Sequence, residues 1–232
     1  VNESDLKSII GLGAYTFPEA SRLLRLPKTT VRRWMLGYKH SGGKVGVVMP
    51  PLWRSDYTPV GLDNEISFRD LIELKFVHEF LKSGISLQTI RLCLEEAKRV
   101  IDVDYPFLTR RFKTDGKTIF VEGARESGDK KLLDLKRKQY AFNDVIEQSF
   151  KDLDIEDDAV SRWRPFKGKT SIVIDPQRSF GQPISSEFGV PTVVLSDAVR
   201  SEGTVARVAR LYEVAPSVVR DAVAFQRRLE AA

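Results

Sequence analysis

Between Tyr15 and His40 six cations, Arg22, Arg25, Lys28, Arg32, Arg33 and Lys39, stand against one carboxylate, Glu19. That surplus equals the net charge of the whole chain, +5 over 232 residues. Clustered cations neutralise phosphates and release condensed counterions, so a polyanion would be met here; the plainer alternative is a solvated basic helix face. Spacing narrows the chemistry. Lys28, Thr29, Thr30, Arg32, Arg33 and Trp34 fall within one short helical segment, in which arginines suit base edges or phosphates and a threonine near the helix N-terminus suits phosphate. Lys39, Lys44 and Arg54 extend the candidate DNA-contacting set beyond it.

The far end of the chain has a different chemistry. Residues 171–232 hold seven arginines and seven carboxylates, so this segment is neutral. It also carries Phe180 and Phe188 in a Gly/Pro-bounded loop, and Val218 and Phe225 in a terminal helical segment. Aromatic anchors on a neutral surface suit a protein partner better than a phosphate backbone.

Other chemistries find little support. Cys93 is the lone cysteine and the histidines are His40 and His78, too few for a structural zinc site of four Cys/His ligands. Cys93 lies on an apolar stripe with Ile90 and Ala97, and His78 falls at a core edge by its spacing from Leu71 and Leu74. The carboxylates Asp152, Asp154, Glu156, Asp157 and Asp158 lack a glycine-punctuated ligand loop and read as a solvated linker. Gly181 and Gly189 lack the phosphate-cradling pattern and read as turn glycines. No nucleophile, base or metal constellation emerges, so we expect no catalytic residues, no cofactor and no enzyme.

The elements that would position these residues follow from caps and periodicity. Thr16 is a good N-cap for a helix with Pro18 in its first turn and Ala20, Leu23 and Leu24 at helical spacing. Pro27 interrupts it, and a second helix runs from Lys28 to Gly37, a helix-turn-helix arrangement with the cations on its second member. Ser41-Gly42-Gly43, Val45 to Met49 and Pro50-Pro51 read as a turn, a strand and a loop, together a wing. Ser67 and Ser86 cap two amphipathic helices with Leu71, Leu74, Phe76, Val77, Phe80 and then Ile90, Cys93, Leu94, Ala97 on their apolar faces. Asp115-Gly116 predicts a hairpin over Phe107 to Val121. Lys131 to Phe150 reads as a short strand and a helix, with further strands at Trp163 and Ile172 to Ile174. Helices are expected at about 195–200, 205–212 and 217–229, the last two again resembling a helix-turn-helix.

Tyr15-Thr16-Phe17-Pro18-Glu19-Ala20, Thr30-Val31-Arg32-Arg33-Trp34, Ser67-Phe68-Arg69-Asp70-Leu71 and Gly84-Ile85-Ser86-Leu87-Gln88-Thr89-Ile90-Arg91 together resemble the MerR-like winged helix over roughly residues 12–101. The resemblance implies that Thr30, Arg32 and Trp34 grip DNA. Asp175-Pro176, Phe180-Gly181-Gln182-Pro183 and Gly189-Val190-Pro191 resemble the VapB-type antitoxins commonly encoded beside PIN-domain toxins, with Glu187-Phe188-Gly189 where the usual motif has Gly-Thr-Arg. What these resemblances imply is an antitoxin that binds operator DNA to autoregulate transcription and blocks a PIN-domain ribonuclease toxin. The alternative is a MerR-like effector-responsive regulator without a toxin.

The expected fold is mainly α with small β elements. Residues 1–101 would form a winged helix-turn-helix, 102–170 a small α+β middle module with linker, and 171–232 a C-terminal helix-turn-helix-like module. A short recognition helix reads few base pairs, so a homodimer on a two-fold site is expected. The longest apolar runs fall far short of the ~20 residues that span a bilayer, and Val1 to Leu6 is not a signal sequence. With its lone cysteine, the chain is expected in the reducing cytoplasm.

Overall fold

A computed structural model describes residues 11–40, 47–62, 64–126 and 139–231. In chain order the elements are β1 (Tyr15–Thr16), α1 (Phe17–Leu24), α2 (Lys28–Leu36), β2 (Tyr38–His40), β3 (Val47–Met49), β4 (Glu65–Ile66), α3 (Phe68–Lys82) and α4 (Leu87–Ile101). They continue with α5 (Arg110–Glu126), α6 (Gln139–Phe150), β5 (Leu153–Glu156), β6 (Ala159–Trp163), β7 (Ile172–Ile174), β8 (Pro183–Ser185), α7 (Thr192–Glu202), α8 (Val205–Leu211) and α9 (Pro216–Glu230). The chain is mainly helical with small sheets, as the sequence leads one to expect. No helix among the described residues is long and apolar enough to cross a membrane.

The described residues divide into two units that interleave along the sequence, one drawn from 1–30, 56–68 and 162–232, the other from 31–55 and 69–161. Long-range contacts hold the first unit together. Its β1 pairs antiparallel with β4, Tyr15 opposite Ile66, and the buried Tyr15 hydroxyl donates to the Gly181 carbonyl at 2.8 Å. Burial, with the nearby Tyr57 oxygen, raises the Tyr15 phenol's pKa well above its ordinary value, so it stays a donor. Gly181 has φ +79, and a Cβ there would overlap the Tyr15 oxygen; only glycine permits this approach.

Also in the first unit, β7 pairs antiparallel with β8, with Val173 opposite Ile184, and Trp163 of β6 lies opposite Ile174. Leu195, Val208, Ala209, Val214, Val219 and Ala222 form a core joining α7, α8 and α9. The Lys169 ammonium and the Ser171 hydroxyl both bond the Asp221 carboxylate. Partial burial of Asp221 works against its ionisation, but these two donors outweigh it and its pKa is lowered.

The second unit is built around phenylalanines. Phe76 and Phe80 of α3 meet Phe107 and Phe112, and Phe150 stacks edge-on against Phe76 with ring centroids 4.9 Å apart. Lys75, nearly buried on α3, is charge-balanced by Asp152 at 2.8 Å and donates to the Ser149 carbonyl. An unpaired buried ammonium would be far more costly.

Three expectations meet this unit. The Asp115-Gly116 hairpin is not there: α5 runs straight through it, with the Thr109 hydroxyl accepting from the Phe112 amide at 3.0 Å near its start. Phe112, Gly116 and Ile119 fall on one buried face, and a Cβ on Gly116 would come within 2.9 Å of Ile146. The glycine serves close packing of α5 and α6, and helical periodicity overrides the turn propensity. The acidic run is likewise no linker, because β5 and β6 are the arms of a hairpin turned at Asp157 and Asp158, both with positive φ. Asp is one of the few side chains that tolerates that region. The strand expected at the start of Lys131 to Phe150 lies outside the described residues, whereas the helix is present as α6.

Candidate nucleic-acid interface

Local sequence makes α1 and α2 separate helices. Thr16 and Glu19 form a reciprocal capping box at the start of α1. Its C-cap, Arg25, is left-handed at φ 56, and Pro27 cannot continue the helix. The Thr30 amide donates to the Pro27 carbonyl at 2.8 Å as α2 begins.

Along α2 the side chains sort by spacing. Lys28, Thr29, Arg32, Arg33 and Leu36 are exposed, Thr30 is half-buried, and Val31, Trp34 and Met35 are buried. Positions 29, 32, 33 and 36 share one helix face, which therefore presents two guanidiniums and a hydroxyl to solvent. Trp34 does not belong to that surface. It is 6% exposed, so the expectation that it grips DNA is corrected: an aromatic on the opposite helix face is drawn into the core.

The wing leaves α2 immediately. Gly37 takes φ +71, and a Cβ on it would overlap the Met49 carbonyl oxygen. β2 then pairs antiparallel with β3, with Lys39 directly opposite Val48, both exposed. The partner strand at 38–40 is an element that the sequence does not announce. The Arg33 guanidinium lies 5.3 Å from the centroid of the Tyr38 ring, a cation–π contact that restricts its motion. Lys44 lies outside the described residues.

Two side chains from α3 and α4 hold the segment that returns from the wing. Arg91 donates to the Pro50 and Pro51 carbonyls at 2.6 and 2.9 Å, and partial burial lowers its pKa without removing its charge. Asp70, fully buried, accepts from the Trp53 indole at 2.7 Å, the Ser55 hydroxyl at 2.6 Å and the Tyr105 hydroxyl at 3.1 Å. Exposed Arg54 sits between two residues so anchored. The Leu52 amide in turn donates to the Trp34 carbonyl at 2.8 Å, tying this segment to α2. Arg91 and Asp70 are visible in sequence as parts of recurring motifs, but no signal there gives their role. Lys28, Thr29, Arg32, Arg33, Lys39 and Arg54 are thus all exposed, the first four on α2 and the last two on the wing and the braced segment that returns from it.

The residues expected to meet a partner protein separate by burial. Phe180 is 83% and Phe188 39% exposed, whereas Val218 is half-buried against the core of α7, α8 and α9. Phe225 is 2% exposed and packs on Phe166, with ring centroids 5.7 Å apart. It is a core residue and unavailable to a partner, which corrects the expectation for it. Cys93 is buried, and that burial raises its thiol pKa; His78 is half-buried, and desolvation lowers its pKa.

Residues 13–94 match a family model described as "Putative DNA-binding HTH domain". The matched stretch holds α1, α2, the wing and α3, in the order of a helix-turn-helix domain followed by a wing. Along 95% of its length the chain is 26% identical to "Putative antitoxin VapB45" of Mycobacterium tuberculosis, of which it covers 97%. The crystal structure of Rv2018 from the same organism superposes with a TM-score of 0.67 at 23% identity, over 90% of this chain and 96% of that one, and shows a shared fold.

Proposed function

We propose that this chain is an antitoxin that represses its own transcription by binding operator DNA and that binds and inhibits a toxin. The observation that carries the DNA half is the exposed cationic face of α2 continuing onto the wing, with the returning segment fixed by Arg91 and Asp70. In this reading Arg32 and Arg33 contact base edges or phosphates, Lys28, Thr29 and Thr30 meet phosphates near the start of the helix, and Lys39, Lys44 and Arg54 contact the backbone from the wing and beyond it. The likeness to a MerR-like winged helix belongs to the same proposal, with residues 1–101 as the DNA-contacting segment.

The toxin half draws on the similarity to an antitoxin across most of both chains and on the neutral segment 171–232 with its exposed Phe180 and Phe188. The toxin is taken to be a PIN-domain ribonuclease encoded nearby, the protein a cytoplasmic homodimer on a two-fold operator, and residues 102–170 the connecting module. The deciding experiment mixes the full-length protein with DNA from upstream of its own gene and with the product of the adjacent reading frame. Specific DNA retention at physiological salt, together with loss of the adjacent protein's ribonuclease activity, is the expected result. Retention of DNA with no effect on any neighbouring protein would replace the antitoxin by a plain transcriptional regulator.

A further inference from the structure

Within the first unit lies a cleft of about 660 Å³ lined by side chains from distant parts of the chain: Leu23 of α1, Val193 of α7 and Leu229 of α9, with Pro183 and Phe180. Val193 is 42% and Phe180 83% exposed, so two apolar side chains stand open to solvent in a wall that also carries Glu19, Arg22 and Glu230. Isolated exposed apolar residues need no explanation, but a concave group of them marks an interaction site.

Phe180 is held outward by the backbone. Ser179 and Phe180 both have positive φ, 47° and 55°, a region that is strained for non-glycine residues. The turn persists because it is pinned on both sides. The Ala14 amide donates to the Phe180 carbonyl at 3.1 Å, and the Tyr15 hydroxyl donates to that of Gly181 at 2.8 Å. A strained turn that displays a phenylalanine at the wall of a cleft has the form of an anchor site.

The charges around the cleft are unequal in their engagement. Glu19 is held in the capping box at Thr16, and Glu230 is bonded by Arg200. Arg22, which lines the cleft, and Arg25 and Arg228, which are close in sequence to its wall residues Leu23 and Leu229, have no carboxylate partner among the described residues. Arg25 and Arg228 lie close enough for their charges to oppose each other. Two like charges left together without a counterion are relieved by an acidic partner.

We propose that this cleft is the docking site for a segment of a partner protein that carries an apolar side chain flanked by carboxylates. Resting on the antitoxin reading above, that segment belongs to the toxin. The site is composite: α1 supplies part of it, so toxin binding is not a property of residues 171–232 alone. A nucleic-acid backbone would satisfy the arginines but leave Phe180 and Val193 in contact with phosphates. A second copy of this chain docked by the same face would bring the unpaired arginines together.

The test uses full-length protein, the toxin encoded beside it and titration calorimetry, with the operator affinity measured in parallel. Phe180→Ala, Val193→Asp and Arg228→Glu should each weaken toxin binding by about tenfold or more, while Leu211→Asp, at an exposed position of α8 outside the cleft, leaves it unchanged. Phe180→Ala and Val193→Asp should keep the wild-type circular dichroism and operator affinity. Raising salt should weaken wild-type binding more steeply than that of Arg228→Glu. If the wild type binds toxin and the three variants bind it equally well, the cleft is not the site and the antitoxin reading stands. If the wild type does not bind the toxin, the antitoxin reading falls and this assignment with it. If the variants lose only self-association in light scattering, the face joins two copies of the chain and the proposal is overturned.

Discussion

The Trp53 indole N–H donates to Asp70 Oδ1 at 2.7 Å, joining the segment after the wing to the first turn of α3. Asp70 also takes the Ser55 and Tyr105 hydroxyls, so one buried carboxylate fixes both residues that flank Arg54. Replacing it by alanine leaves buried donors without their acceptor, each such loss costing about 1–3 kcal/mol. Asp70→Ala should therefore be destabilised by about 3 kcal/mol in urea unfolding, whereas Trp53→Phe, which removes one donor, should lose less. An unchanged midpoint for Asp70→Ala would show that the carboxylate does not brace this segment.

Arg32 is exposed on the helix face away from Trp34, with no side-chain bond among the described residues. Its removal should leave stability unchanged within about 0.5 kcal/mol. On the DNA reading it should weaken operator binding by roughly 1–3 kcal/mol at fixed salt. Gel-shift titration of Arg32→Ala beside Arg33→Ala measures both arginines. Equal affinities for wild type and variants would remove α2 from the DNA surface.

Caps and apolar spacing make most helices legible: Thr16, Ser67 and Ser86 stand immediately before α1, α3 and α4, and the C-terminal helices fall within about three residues of their expected starts. What fails shares a cause. Asp115-Gly116 is a turn signal only if its neighbours alternate, and here Phe112, Gly116 and Ile119 face a second helix, a relationship no local window contains. The wing's first strand, 38–40, is too short to announce itself. Trp34 and Phe225 qualify as contact residues by type, but only tertiary packing tells an aromatic anchor from an aromatic core residue. The two brace residues, Asp70 and Arg91, act across intervals of 15 and 40 residues or more, which sequence spacing does not encode.

Gly37 offers a sharper test of the wing. Its positive φ, and the overlap that a methyl group there would make with the Met49 carbonyl oxygen, leave an alanine no room without moving backbone. Gly37→Ala should be destabilised by about 2 kcal/mol or more. On the DNA reading it should also lose operator affinity, since β2 and β3 must shift relative to α2. Wild-type stability in chemical denaturation would mean that the chain leaves α2 by another path.

Glu73 makes the pH dependence of stability predictable. It is 1% exposed in the second unit, and burial raises its pKa well above the ordinary carboxylate value, with Asp70 adding to the rise. The Phe107 amide, donating to Oε1 at 3.0 Å, and the more distant Lys98 oppose that shift without cancelling it. No partner for Oε2 is found among the described residues, as suits a carboxyl that keeps its proton. The unfolded chain releases that proton in the ordinary carboxylate range while the folded chain retains it, so between the two pKa values the native state binds more protons. Stability from this group is therefore full below the unfolded pKa, and declines as pH rises until the folded pKa is passed. Glu73→Gln, which keeps an acceptor for the Phe107 amide and cannot ionise, should flatten that decline, gaining on the wild type as pH increases. Urea unfolding at a series of pH values from the ordinary carboxylate range upward compares the two proteins. Parallel curves for wild type and Glu73→Gln would show that Glu73 is ionised in the fold and that its burial is compensated by a charge in its surroundings.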